Sequence, residues 1–223
     1  MLTDMPSAMQ ATVAHLKSEI LRLQSHSETE ATGGTKALSP GFEAMSELLP
    51  GGGFPFGRVI ELVGSPGTGK NSLALLALAQ ATRQGEWTAY VEGEQETGLY
   101  PPAAQSLGLE LDHLIWIRTS NLSQALNASI GLARSGAVRA IVLKLSDEKP
   151  PAGPWSRRLL EAAEVGRSVI FLLVDRPSIF DASLRIQIEP HGHEEVELTL
   201  TRSRLGPSGK KTRGILPTCP NDF

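Results

Sequence analysis

Several features that define other protein classes are scarce in this 223-residue chain, and each scarcity is informative. Its single cysteine, Cys219, cannot form a disulfide within the chain, which favours a reducing compartment. No apolar run approaches the roughly 20 residues of a membrane-spanning helix, and the first residues lack a basic-then-apolar leader pattern. The formal net charge of -3 excludes a protein that coats DNA through general basicity. We therefore expect a cytoplasmic protein, nucleoid-associated at most, with no membrane contact and weak or no direct DNA binding.

The apolar pattern divides the chain into a helix, a linker, a core and a tail. Residues 1–25 predict an amphipathic helix, because apolar side chains recur at spacings of four, three, four and three. This docking stripe consists of Met9, Val13, Leu16, Ile20 and Leu23. Residues 26–37 are polar and predict a flexible linker, so the stripe can pack on its own domain or on another chain. The core spans 38–205, and 206–223 is predicted to be a basic, proline-containing C-terminal tail.

Within the core, apolar strands alternate with helices, which is typical of a mainly parallel sheet with right-handed crossovers. Strands are predicted at 59–63, 87–94, 114–117, 137–145 and 168–174. Helices are predicted after Lys70 and over 101–108, 122–135 and 156–166. The stretch 183–204 alternates apolar and polar residues around a Pro-His-Gly turn, which predicts an antiparallel hairpin. The fold class is therefore α/β, with helices flanking the sheet.

Residues 58–82 read RVIELVGSPGTGKNSLALLALAQAT and match the GxxxxGK phosphate-loop pattern between a strand and a helix. Glycines let backbone N–H groups turn inward, and the helix N-terminus adds its unsatisfied donors. The candidate nucleotide-binding residues, for ATP or ADP, are Gly64, Ser65, Pro66, Gly67, Thr68, Gly69, Lys70, Asn71 and Ser72.

Both positions that would hold magnesium depart from this pattern. The residue after the lysine is normally a hydroxyl, and here it is Asn71, with Ser72 one residue too late. The buried strand that should end in an aspartate is followed by Lys144, a cation that would repel Mg²⁺. We therefore expect no required cofactor, a doubtful magnesium site and no ordinary ATP turnover. Glu94 remains as a catalytic remnant that could polarise a water, although an isolated carboxylate at a sheet end is more often structural.

A run of five cations near the C-terminal end has no acid between its first and last members. This basic patch consists of Arg202, Arg204, Lys210, Lys211 and Arg213. It predicts phosphate contact, docking on an acidic partner, or a solvated hairpin edge followed by a disordered tail. The solvated hairpin edge is slightly favoured, because Lys and Arg on an exposed sheet edge prevent it from pairing with other chains. His191 and His193 lack a clear third ligand, so we predict turn residues and no metal site.

The motifs PGGGFPFGRVIEL, GSPGTGK, TAYVEGE, LARSGAVRAIVL and SVIFLL occur in the order in which the RecA family carries them. The chain resembles that family over roughly 38–205, and a helix and linker ahead of the core are also similar. The resemblance implies that Glu94 aligns with the water-activating glutamate, and that Arg202 and Arg204 align with lysines that reach a neighbour's nucleotide. Val174 stands where a polar sensor is expected. The stretches 175–183 and 146–154 are too short for the family's DNA-binding loops.

A RecA-like core with these losses resembles the ImuA family, RecA-related accessory proteins of bacterial damage-induced mutagenesis. That resemblance implies an adaptor in SOS DNA damage tolerance and translesion synthesis. It implies as partners ImuB, an error-prone polymerase and RecA. Two alternatives stay open: an active RecA-like ATPase or recombination mediator, resting on GSPGTGK and Glu94, and a DNA-binding protein that uses the basic patch.

Overall fold

An eight-stranded sheet is the centre of the unit Lys36–Phe223, the second of two units into which the chain divides. The computed structural model describes residues 37–93, 98–145, 154–192 and 195–217. Several predicted features lie outside these residues: the helix over 1–25 with its docking stripe, nearly all of the linker over 26–37, Glu94, His193, the stretch 146–153 and residues 218–223.

The strands of the sheet are β3 (Arg58–Val63), β4 (Trp87–Gly93), β5 (Leu114–Thr119), β6 (Val138–Lys144), β7 (Val169–Val174), β8 (Leu184–His191), β9 (Glu195–Ser203) and β10 (Lys211–Ile215). Across the sheet they have the order β10-β9-β8-β3-β7-β6-β4-β5. From β5 to β8 all neighbours run parallel, whereas β8, β9 and β10 pair antiparallel. The predicted mainly parallel sheet with a C-terminal hairpin is confirmed.

Five α-helices accompany the sheet in the described part of the chain, together with two 3-10 turns at Pro50–Gly52 and Leu111–His113. The α-helices are α1 (Glu43–Leu48), α2 (Lys70–Thr82), α3 (Pro101–Ser106), α4 (Leu122–Ser135) and α5 (Trp155–Gly166). A small sheet of β1 (Ala37–Leu38) and β2 (Phe54–Pro55) was not predicted, because two-residue strands leave no periodic signal. The predicted helix over 122–135 has the observed bounds, and its start is fixed by the Asn121 side chain, which accepts a hydrogen bond from the Gln124 N–H at 3.0 Å.

Burial explains why each element takes its place. All six residues of β7 are buried, as expected for a central strand covered by helices on both faces. One apolar cluster lies on the α1 and α2 side of the sheet, and a second joins α4 and α5 to the other face. In β8 and β9 alternate residues are buried, so the outer face of the hairpin stays open to solvent. None of the helices in the described ranges is long and apolar enough to span a membrane.

The prediction that 206–223 is a tail is wrong for residues Lys211–Ile215, which form the edge strand β10 against β9. No alternating apolar pattern marks this strand, since its side chains are exposed or half-buried. Its position depends on pairing with β9 and on polar contacts from distant parts of the chain, which local sequence cannot reveal. Just beyond it, Leu216 packs against the main apolar cluster.

Candidate functional site

The phosphate loop lies where β3 ends and α2 begins, as the sequence predicts. The Gly64 N–H donates to the Val174 carbonyl at 3.1 Å, which ties the loop to the end of the neighbouring strand β7. A Cβ at Gly64 would lie 2.4 Å from Thr68 Oγ1, so only glycine allows the loop to fold back this tightly. The loop's tip, Ser65 to Gly67, is exposed. The structure therefore brings residues 64–72 together, and nucleotide binding by them stays a prediction.

The C-terminal segment also contacts this loop, which the predicted tail did not suggest. Gly69 has a left-handed backbone with φ 84°, and a Cβ there would lie 2.1 Å from Leu216 Cδ1. Leu216 therefore packs directly on the residue that caps helix α2. The phosphate loop is covered on this side by the segment that follows β10.

The ammonium group of Lys70 forms hydrogen bonds within its own chain. Its Nζ donates to the Gly64 carbonyl and to Oδ1 of Asp175. Asp175 is the first residue after β7, and since β7 pairs with β3, its carboxylate is placed beside the loop. The Lys70 side chain is only 11% exposed, so it meets an anion in a position largely cut off from water.

Sequence reasoning missed Asp175, although a signal was present. An acid that directly follows a buried strand at the carboxyl edge of a parallel sheet is a candidate for the binding crevice. The RecA resemblance implies a polar sensor at the preceding position, which is Val174. The neighbour that faces Lys70 is one position further along.

The side chain of Asn71 also has a hydrogen-bond partner. Its Oδ1 accepts a hydrogen bond from the hydroxyl of Tyr90 at 2.8 Å, and Tyr90 is a buried residue of the adjacent strand β4. An amide side chain can ligate a metal only through its oxygen, since the NH₂ group is a donor. That oxygen already accepts from a hydroxyl, and the other end of the amide is a hydrogen-bond donor.

The residues present do not fit the magnesium ion that phosphate-loop ATPases use. Such ions are usually held by a hydroxyl after the lysine and by an acid at a strand end. Here the first position is Asn71 and the second is Lys144, the last residue of β6, in register with Leu173 of β7. Over the described residues, no group of three or more His, Cys, Asp or Glu side chains is placed to hold a metal.

Glu92 is a buried acid near the outer edge of the sheet. Its side chain is 0% exposed, and its Oε1 accepts from Trp116 Nε1 at 2.9 Å and lies 3.5 Å from Arg118 Nε. These contacts link β4 to β5, which is a structural role. Glu94, the predicted catalytic remnant, lies outside the described residues, so its role stays a prediction.

The loop after β7 is fastened by buried and half-buried ion pairs. Fully buried Glu61 binds Arg185, and its Oε1 accepts from the Ser178 N–H at 2.7 Å. Further along, both oxygens of Asp181 are bound by arginines of the hairpin, Arg202 and Arg204. The short stretch 175–183, which connects β7 to β8, is therefore held in place by ion pairs and hydrogen bonds.

The basic patch is largely paired within the chain. Arg202 and Arg204 share Asp181, while Lys211 and Arg213 share Glu197 at 2.8 Å each. Lys210 donates to the Glu47 carbonyl. Hydrogen bonds from Lys211 and Arg213 lower the pKa of Glu197 to about 2, and the same contact raises the pKa of Lys211. These contacts favour the interpretation as a hairpin edge, although residues Lys211–Ile215 of the predicted tail form a strand.

Comparison with known proteins agrees with this architecture. The RecA N-terminal domain family matches residues 7–148. Over 127 residues, 57% of this chain, the sequence is 38% identical to Protein RecA of Acidiphilium cryptum and 37% identical to Protein RecA of Francisella tularensis subsp. novicida. Those stretches cover 36% and 34% of the two relatives, so the chain spans about a third of their length. From the family match over more than half of its length, together with its sheet and phosphate loop, this chain belongs to the RecA N-terminal domain family.

Proposed function

We propose that this chain is a RecA-fold adaptor in DNA damage tolerance, which acts by docking on other proteins and does not turn over ATP. One observation carries the proposal: the lysine and the asparagine of the phosphate loop are both occupied by side chains of the same chain. In the role that the ImuA resemblance implies, its partners are ImuB, an error-prone polymerase and RecA filaments. Error-prone translesion synthesis would be the process that it supports.

The absence of turnover follows from what phosphoryl transfer requires. Hydrolysis needs a metal that neutralises charge on the transferred phosphoryl group and a group that orients water. Asn71 and Lys144 stand at the two metal positions, and neither offers a free anionic oxygen. Ordinary Mg²⁺-dependent hydrolysis therefore lacks its ligands among the described residues.

The connection after β7 supports a role without strong DNA binding. A loop that grips a DNA strand needs length and free cations, whereas Asp181 binds Arg202 and Arg204 and Glu61 binds Arg185. The paired cations of the basic patch also argue against the alternative of a DNA-binding protein. We expect partner proteins to supply the main DNA contacts.

A docking surface is available on β5, at one edge of the described sheet. In the described part of the chain β5 pairs only with β4, and it carries Trp116 with 42% of its surface exposed. Tyr100, ahead of α3, is 58% exposed. Aromatic side chains are enriched at protein interfaces, and an open strand edge can accept a partner strand. The stripe over 1–25 would add a second docking element.

Co-sedimentation with RecA filaments on single-stranded DNA tests the adaptor role. We expect the full chain to pellet with the filaments and to change their disassembly rate. Leu16→Asp, which places a charge in the docking stripe, should weaken this binding. The matched control is Val165→Asp, which changes an apolar residue that is 70% exposed on α5. Equal sedimentation with and without filaments would overturn the proposal.

The alternative of an active ATPase rests on the intact geometry of the phosphate loop. It predicts Mg²⁺-dependent phosphate release that Lys70→Ala abolishes. We expect release no faster than that of the Lys70→Ala protein, measured on the sample used for sedimentation. Brisk release lost in that variant would favour the motor over the adaptor.

A further inference from the structure

We propose that the phosphate loop binds a nucleoside di- or triphosphate without a divalent cation, in competition with Asp175 for Lys70. The inference goes beyond the adaptor role, which makes no claim about nucleotide binding, so the two can fail separately. The inference depends on two contacts and one position. The contacts are those of Lys70 with Asp175 and of Asn71 with Tyr90, and the position is that of Lys144 at the end of β6.

The first step concerns Asn71, whose amide can donate hydrogen bonds to a ligand. The Tyr90 hydroxyl donates to Oδ1 and occupies one of the two lone pairs of that oxygen, while the amide NH₂ is a donor. An N–H group can donate to a phosphate oxygen and cannot coordinate a cation. At the position where a phosphate loop usually binds its metal through a hydroxyl, this chain therefore has a side chain that can donate to the anion itself.

The second step concerns the placement of charge at the strand ends. In a working phosphate-loop site an aspartate helps to hold the magnesium ion, and the sequence places the corresponding position at the end of β6. Here that strand ends in Lys144, and the acid Asp175 follows β7, which pairs directly with β3. A cation at the position where the metal-holding acid is expected disfavours Mg²⁺, whereas Lys70 beside the loop favours an anion.

The third step concerns exchange between Asp175 and phosphate. The side chain of Lys70 is 11% exposed and that of Asp175 is 37% exposed. Lys70 therefore needs an anionic partner at all times, since an unpaired charge with little access to water is costly. Asp175 can turn toward solvent when a phosphate replaces it. The carboxylate thus holds the loop's lysine in the absence of ligand and weakens nucleotide binding.

Titration calorimetry with ATP tests this directly, in EDTA and again in excess Mg²⁺. The wild-type chain should bind ATP in EDTA at least as tightly as in Mg²⁺. Asp175→Asn should bind about tenfold more tightly in both buffers, because it removes the competing charge. Lys70→Ala should lose binding. Asp112→Asn, an exposed acid in the turn before β5, is the control for net charge and should bind like the wild type.

A reverse experiment installs the missing metal ligands. The double variant Asn71→Ser with Lys144→Asp should bind ATP more tightly in Mg²⁺ than in EDTA, by about tenfold. Thermal unfolding with and without ATP in EDTA gives a second readout, and Asp175→Ser replaces Asp175→Asn if the latter does not fold. The inference is overturned if Mg²⁺ tightens wild-type binding and Asp175→Asn removes that gain, because Asp175 would then be a relocated metal ligand. It is also overturned if neither the wild type nor an Asp175 variant binds ATP.

Discussion

At the scale of single residues, the site is decided by what each polar side chain binds. Lys70 and Asn71 are the residues that a phosphate loop would direct at its ligand and metal. Lys70 binds Asp175, and Asn71 accepts a hydrogen bond from Tyr90, so each has a partner before any ligand binds. The chemistry of the loop therefore depends on Asp175, which directly follows strand β7, and on Tyr90 of strand β4.

The hydroxyl of Tyr90 can be removed with little change in shape. Tyr90→Phe should lower the free energy of unfolding by about 1 kcal/mol, because a hydrogen bond from a buried hydroxyl is lost. Urea denaturation followed by circular dichroism measures this. Tyr100→Phe, at an exposed tyrosine, is the control and should leave stability unchanged. Equal stabilities for the two variants would contradict the assigned role of Tyr90.

Two helix glycines provide a matched pair. Gly166 ends α5, and a Cβ there would lie 1.7 Å from the Ala133 carbonyl oxygen of α4, whereas nothing lies within 4 Å of a Cβ at Gly131. Gly166→Ala should destabilise the protein by about 1–3 kcal/mol through overpacking. Gly131→Ala should stabilise it by up to about 1 kcal/mol, because alanine is the better helix former. Thermal or urea unfolding compares them, and effects of the same sign would refute the close packing of α4 on α5.

At the scale of elements, β10 is joined to β9 by two ion pairs as well as by backbone pairing. Glu197 of β9 receives hydrogen bonds from Lys211 and Arg213 of β10, and these lower its pKa from 4.5 to about 2. A carboxylate with a depressed pKa stabilises the folded state above its unfolded pKa and loses that effect as the pH falls toward the folded value. The attachment of β10 should therefore weaken between pH 4.5 and about 2.

Amide hydrogen exchange across 211–215, corrected for intrinsic rates, measures this attachment. Protection should fall as the pH drops through that window, and the effect should shrink in high salt because the pairs are exposed. Glu197→Gln should give low protection at every pH. Protection in the wild type that is independent of pH would show that backbone pairing alone holds β10.

At the scale of the whole molecule, the distribution of charge bears on partners. The net charge is -3, and the cations of the C-terminal hairpin are paired with Asp181, Glu197 and a backbone carbonyl. Long-range attraction to a phosphate backbone needs unpaired cations. The paired cations of this hairpin therefore support the proposal that proteins, and not nucleic acid, are the main partners of the chain.

Binding to single-stranded DNA should accordingly be weak, with little dependence on salt. Fluorescence anisotropy over a range of salt concentrations gives the slope of log K against log[salt], and we expect a slope near zero. A slope steeper than about -3 would indicate several phosphate contacts. If such a slope were lost in Lys210→Ala with Lys211→Ala, the DNA-binding alternative would be restored.

Much of this molecule can be predicted from local patterns. The phosphate loop, the parallel strands and helix α4 have signals within a few residues, because glycine spacing, continuous apolar runs and caps act locally. The edge strand β10 has no such signal, since its residues are polar and its partner Glu197 is distant in sequence. Asp175 has a local signal, since it directly follows a buried strand, but its pairing with Lys70 depends on the neighbouring strand β3 and cannot be predicted from local sequence.

The sequence by itself determined the family, the order of strands and helices, and the two substitutions at the metal positions, since these depend on residue type and spacing alone. Only the tertiary structure decided which groups Lys70, Asn71 and the C-terminal cations meet. Those contacts join residues roughly 15 to 160 positions apart, and folding alone brings them within hydrogen-bond distance.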